Sequence, residues 1–121
     1  MSEMLAWRLA ETPWQDRSNP VTGAPYQSAR LFKDKDTGAE LMFVHYPVGS
    51  MTTLHDHPCG HGLLVISGQL VTQSGNFGPG DMVWYPEGTV GSHGASTDGP
   101  VTAMLFTNKT FAIRHLSDFT G

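Results

Sequence analysis

Residues 49–68 read GSMTTLHDHPCGHGLLVISG and hold three of the chain's six histidines, His55, His57 and His61, within seven positions. Side chains two apart on a strand share a face, so His55 and His57 aim their imidazoles the same way. Pro58 and Gly60 end that strand in a turn, which brings His61 back beside the pair as the next strand starts. A fourth histidine, His93 in GTVGSHG, is placed to close the site from a neighbouring strand. Four imidazoles from two hairpins suit Zn, Fe(II), Ni, Co or Cu and suit Mg or Ca poorly. Taken alone, an HxH pair fits two solvated loop histidines equally well; the turn and His93 favour a site.

Outward from this stretch, 14 glycines and 8 prolines punctuate short runs rich in Val, Leu, Phe, Trp, Tyr and Thr. That pattern predicts an all-β sandwich or barrel. Strands are expected near residues 28–33, 39–47, 51–56, 61–67, 69–74, 81–85, 89–94, 100–107 and 110–116, with turns at DKDTG (34–38) and SGNFGPG (74–80) among others. Residues 1–27 read as an N-terminal arm too rich in Pro, Asn and Gly for a regular element, apart from a short helical turn around 2–10. Trp7, Trp14 and Tyr26 suggest that the arm docks on the barrel or on a partner subunit. Residues 28–121 form the single barrel domain, and no internal repeat stands out.

The bulk numbers narrow the function classes. A chain of 121 residues with 39% hydrophobic residues builds one core without a structural metal. Acidic residues outnumber basic ones 11 to 7, and no basic cluster is present that would neutralise a phosphate backbone, so nucleic acid is not an expected partner. No signal-peptide pattern and no long apolar run are evident, which predicts a soluble, cytoplasmic protein with no membrane partner. The lone Cys59 cannot form an internal disulfide; it reads as a turn residue prone to oxidation. His115 reads as an ordinary strand residue, and His45 either as a partly buried strand histidine with one hydrogen bond or as a pocket residue. The sequon at Asn108–Thr110 reads as incidental.

On these residues the chain resembles the cupin superfamily. Its first motif runs glycine, five residues, HxH, three or four residues, usually glutamate, six residues, glycine. Gly49, SMTTL, His55, Asp56, His57, PCG, His61, GLLVIS and Gly68 reproduce that spacing, with His61 in the glutamate position. The second motif runs glycine, five residues, PxG, two residues, histidine. Gly80, DMVWY, Pro86, Glu87 and Gly88 fit, but Gly91 takes the histidine position and His93 follows two residues later. A two-residue slip keeps side-chain parity, so His93 still faces inward. The resemblance implies a double-stranded β-helix (jelly-roll) barrel of two antiparallel sheets, a metal inside it, and a homodimer through the N-terminal region. By position, it makes His55, His57, His61 and His93 metal ligands.

Imidazole in place of glutamate leaves the full +2 on a divalent metal, which should attract an anionic, chelating substrate. Fe(II) is the first expectation for the metal; Ni, Zn, Co, Cu or Mn are the others. The expected pocket lining is Phe43 or Val44, Met51, Leu63, Val65, Trp84 or Tyr85, Met104 and Phe106, since parity fixes only alternation. Such a pocket suits a small enolisable or aromatic compound, and the resemblance is to dioxygenase-type small cupins. A metal-dependent lyase, isomerase or cyclase, or a non-catalytic sensor, stands as the alternative. No catalytic residue is assigned: Asp56, Asp81 and Glu87 are expected to face solvent, with Asp56 supporting a histidine N–H as its best functional role.

Overall fold

The computed structural model describes residues 3–52, 54–110 and the backbone of 114–115. Among the described residues a 3-10 turn at Leu9–Glu11 precedes eleven strands: β1 Gln15–Ser18, β2 Pro25–Lys33, β3 Glu40–Tyr46, β4 His55–Asp56, β5 His61–Ser67, β6 Leu70–Thr72, β7 Gly75–Phe77, β8 Met82–Tyr85, β9 His93–Ala95, β10 Val101–Thr107 and β11 Arg114–His115. The expected strand at 110–116 lies outside the described residues at 111–113 and 116. Among the described residues no helix is long and apolar enough to cross a membrane.

One wall of the barrel is a six-stranded sheet in the order β1-β2-β3-β10-β5-β8, antiparallel at each pairing. The opposite wall is assembled from β7-β6-β9 and β11-β4. Bridges Met51↔Gly94 and His55↔Gly91 join these two pieces into a second antiparallel layer. Val44, Leu63, Val65, Ala103 and Leu105 from the first sheet pack with Leu70 and Ala95 from the second to form the core. This is the predicted all-β barrel of two antiparallel sheets, and its apolar residues alternate as period two demands.

Residues 15–27 depart from the expectation of an irregular arm. β1 pairs with the start of β2, Gln15 opposite Ser28 and Ser18 opposite Pro25. The Asn, Pro and Gly that read as breaking structure build the turn between them. Asn19 Oδ1 accepts the N–H groups of Val21 and Thr22 at 2.8 and 3.0 Å, Asn19 C=O accepts Gly23 N–H at 2.8 Å, and Thr22 Oγ1 accepts Ala24 N–H at 3.1 Å. Residues 34–39 repeat the device: Asp34 Oδ1 accepts from Asp36 and Thr37 at 2.8 and 3.0 Å, and Thr37 Oγ1 accepts from Ala39 at 3.1 Å. NPVTGA and DKDTGA are therefore one loop type used twice, joining β1 to β2 and β2 to β3. The backbone donors also hold the Asp34 carboxyl below its ordinary range.

Candidate metal centre

The histidine stretch takes its shape from two close backbone approaches. His55 N–H donates to Gly91 C=O at 3.0 Å and Gly91 N–H returns to His55 C=O at 2.9 Å. Gly88 N–H donates to His57 C=O at 3.0 Å, so the PEG turn and the HxH strand are tied together. A second bridge pairs Met51 with Gly94. Close contact there requires Gly94, whose missing Cβ would strike Ser50 O and lie 2.6 Å from Met51 Cα. Gly60 is similarly required, because a Cβ would lie 2.5 Å from Trp84 Cζ2. Asn108 clasps this glycine from both sides, accepting Gly60 N–H on Oδ1 at 3.0 Å and donating its own N–H to Gly60 C=O at 3.1 Å. The residue that read as part of an incidental sequon therefore fastens the turn that returns His61 toward the pair.

All four histidines are buried, His55, His57, His61 and His93 being 3%, 1%, 2% and 3% exposed. Their rings form a chain: His61 to His57 at 3.9 Å, His57 to His55 at 4.9 Å and His55 to His93 at 5.1 Å between centroids. Tyr85 stacks on His61 at 4.9 Å, and Tyr46 meets His93 edge-on at 5.6 Å. Burial pushes the His61 pKa down to about 4, with the charge of His55 adding and the Cys59 backbone opposing. The pKa of His93 is held well below the usual value by burial and then by the His55, His61 and His57 charges. Near pH 7 both rings are therefore neutral, the form in which imidazole binds a metal. Nδ1 of His61 and both ring nitrogens of His93 are buried without a hydrogen bond, a costly arrangement for a polar atom unless something bonds it. As the side chains stand, no three or more His, Cys, Asp and Glu groups among the described residues are arranged to hold a metal ion. The rings are gathered, but their nitrogens do not already converge.

A cavity of about 480 Å³ opens beside the cluster, with His55, His57 and His93 on its wall. Much of its remaining wall comes from the inner faces of β2 and β3, including Tyr26, Arg30, Glu40, Val44 and Tyr46, with Leu105 from β10. Burial, with the charges of Tyr26 and Tyr85 adding to it, raises the Tyr46 pKa, so this phenol stays protonated; burial likewise raises that of Tyr85.

Of the expected lining, Val44 faces this cavity, and the other positions lie elsewhere. Phe43 lies on the outer face against Trp14 at 6.4 Å, and its neighbour Val44 points inward. Trp84 is 45% exposed and packs on Phe106 at 6.0 Å, while Tyr85 turns in. Met104 and Phe106 alternate with Ala103 and Leu105, and Leu105 is the one on the cavity wall. Leu63 and Val65 are core, and Met51 sits at the Gly94 bridge. In each adjacent pair parity had two solutions, and packing against the second sheet selected one. Asp56, expected in solvent, is 6% exposed, and Cys59 at 0% is sealed from oxidants. His45 Nδ1 bonds Thr102 Oγ1 at 2.8 Å, under the edge of Trp14 at 6.1 Å.

Glu40 is the residue that the sequence reading passed over. It is 3% exposed, with Oε1 3.2 Å from Arg30 Nη2 and 3.9 Å from Lys33 Nζ. A signal was present: in ELMFVHY, Glu40 is in phase with Met42, Val44 and Tyr46, the alternating inner face of β3.

Residues 2–111 match the family described as the ChrR Cupin-like domain. None of the curated proteins matches the chain. Among solved structures, a cupin-like protein from Thermotoga maritima is 21% identical with a TM-score of 0.72, over 88% of this chain and 89% of that one. The polyketide cyclase RemF from Streptomyces resistomycificus is 15% identical with a TM-score of 0.77, over 94% and 86%. A chain from the complex of Rhodobacter sphaeroides SigE with the anti-sigma ChrR is 20% identical with a TM-score of 0.66, over 83% of this chain and 51% of that one. At these identities the likeness establishes the fold.

Proposed function

We propose, from the premise that the chain belongs to the ChrR cupin-like domain family, that it is a metal-dependent enzyme for a small enolisable or aromatic anion, with a divalent transition metal held by His55, His57, His61 and His93. The observation that carries this reading is the gathering of buried imidazoles beside a cavity: His55, His57 and His93 line it, and His93, neutral and with both ring nitrogens buried and unbonded, is one of the three. A purely structural site would be closed on all sides.

The bound metal would supply Lewis-acid polarisation of a substrate oxygen or, as Fe(II), a seat for dioxygen. Fe(II)-dependent dioxygenation is the leading form of the chemistry. What the chain itself contributes is orientation and exclusion of water. Met42, Val44 and Leu105 give the cavity an apolar side, which strengthens every electrostatic contact inside it. Tyr46, kept protonated beside His93, offers a hydroxyl donor to negative charge that develops on a substrate oxygen.

A non-oxidative lyase, isomerase or cyclase reaction is the second reading, favoured by four neutral ligands that leave the site's full +2 charge. Protein purified without chelator should carry close to one metal per chain, and His55→Ala should lose it. Oxygen uptake after anaerobic Fe(II) loading, over a panel of enolates and phenols, then separates the two readings. Conversion with Zn, Ni or Mn in the absence of oxygen selects the second, and failure to retain any of these metals sinks both. The same reading includes a homodimer, for which Met4, Leu5 and Trp7 at 89%, 59% and 42% exposure supply an apolar N-terminal surface.

A further inference from the structure

We infer that Glu40 is a second recognition pole of the histidine-lined cavity, accepting a hydrogen bond from a hydroxyl or N–H group at the far end of a small ligand whose anionic, chelating end meets the histidines. The inference rests on the metal-site reading above, which assigns Glu40 no role.

Four observations carry it. Among the described residues Glu40 is the only carboxylate on the cavity wall, which Met42 and Leu105 also line. Both cations near it engage the same atom, Oε1, through Arg30 at 3.2 Å and Lys33 at 3.9 Å. Oε2 is buried and, among the described residues, has no hydrogen-bond partner. An acceptor sealed in that state is expensive unless a ligand uses it. Finally, the residue is fixed in place: its N–H donates to Thr107 Oγ1 at 2.9 Å, and that hydroxyl donates to Lys109 C=O at 2.9 Å.

Register supplies the length of the ligand. Thr107 is opposite His61 on one side and bonded to Glu40 on the other, so Glu40 and His61 are two strand spacings apart, about 10 Å. A single aromatic ring with polar groups at both ends spans most of that distance. Arg30 neutralises the Glu40 charge, so this pole does not repel an anionic ligand.

Isothermal titration of the nickel-loaded protein, whose octahedral metal leaves two positions open beside four histidines, with three chelators tests the inference: benzohydroxamate, 4-hydroxybenzohydroxamate and 4-methoxybenzohydroxamate. The hydroxamate group reports the metal, and the ring substituents, of similar electronic effect, differ in whether they donate a hydrogen bond. The 4-hydroxy compound should bind about tenfold or more tightly than the other two, the worth of one hydrogen bond to a charged group. Glu40→Gln should shrink that preference severalfold, and Glu40→Met, of similar length and without a carboxylate, should abolish it. Affinity for benzohydroxamate should survive in both, where a merely structural role would weaken all three ligands together. Equal binding of the three by wild type, or an unchanged preference in both variants, overturns the role of Glu40 alone. Absence of benzohydroxamate binding overturns the metal reading and the inference with it.

Discussion

At the scale of single residues, His61 decides the charge of the proposed site. Replacing it with the glutamate that cupins usually carry should keep the metal and reduce the net charge from +2 to +1. Affinity for an anionic chelator should then fall by about tenfold or more, since one unit charge at ~4 Å is worth roughly 1–4 kcal/mol between water and a protein surface. Equal affinity in wild type and His61→Glu, measured by titration of matched metal-loaded proteins, would place His61 outside the coordination sphere. The lowered pKa values also set a pH dependence. An unfolded chain protonates His61 and His93 as pH drops through ~6.5, whereas the folded chain resists until about 4 at His61 and well below the usual value at His93. Their contribution to folding is therefore complete above the unfolded value and is lost as pH falls toward the folded one. The metal-free protein should show a melting temperature that declines between about pH 6.5 and pH 4; a flat profile over that interval would mean that the buried rings are charged in the folded state.

At the scale of elements, two loops and one strand contact carry testable weight. Asn19→Ala removes both side-chain bonds that close the β1–β2 turn, at a cost of about 1–3 kcal/mol from ~0.5–1.5 each. Denaturant unfolding measures the loss, and amide exchange should rise first in β1. The twin loop shows why this hairpin escaped the sequence reading. DKDTG lay between two strands of evident alternation and read as a turn, while NPVTGA followed the polar QDRS and had no apolar run to mark β1. Gly94→Ala pushes β9 away from Ser50 and Met51 and should cost about 1–3 kcal/mol, as overpacking does. Gly99→Ala, which meets nothing within 4 Å, should stay within about 0.5 kcal/mol of wild type. Similar losses for both glycines in thermal melts would mean that the β9 approach tolerates a methyl group.

At the scale of the whole molecule, the two sheets bring the histidines, the tyrosines and Glu40 to one interior. β4 and β9 belong to the second layer and β5, β8 and β3 to the first, so the proposed site exists only once both layers close. Sedimentation should give about twice the 13.1 kDa chain mass, and deleting residues 3–11, which carry Met4, Leu5 and Trp7, should shift it to the monomer. A monomeric full-length protein would leave that apolar segment without the proposed partner.

The sequence by itself determined the all-β class, the alternating strands and the spacing of His55, His57, His61 and His93, because period-two patterning and fixed motif intervals are local properties of the chain. Tertiary structure decided what local pattern leaves degenerate. Within each adjacent pair of apolar residues, Val44 over Phe43 and Tyr85 over Trp84, the inward member was chosen by which face met the second sheet. Burial of Asp56 and Cys59 likewise does not follow from local pattern, and neither does that of Glu40, flanked by Arg30 and Lys33 from β2 and bonded to Thr107 from β10. A carboxylate on a strand reads as a surface residue until the folded chain buries it, and only then does its unpartnered oxygen become part of a site.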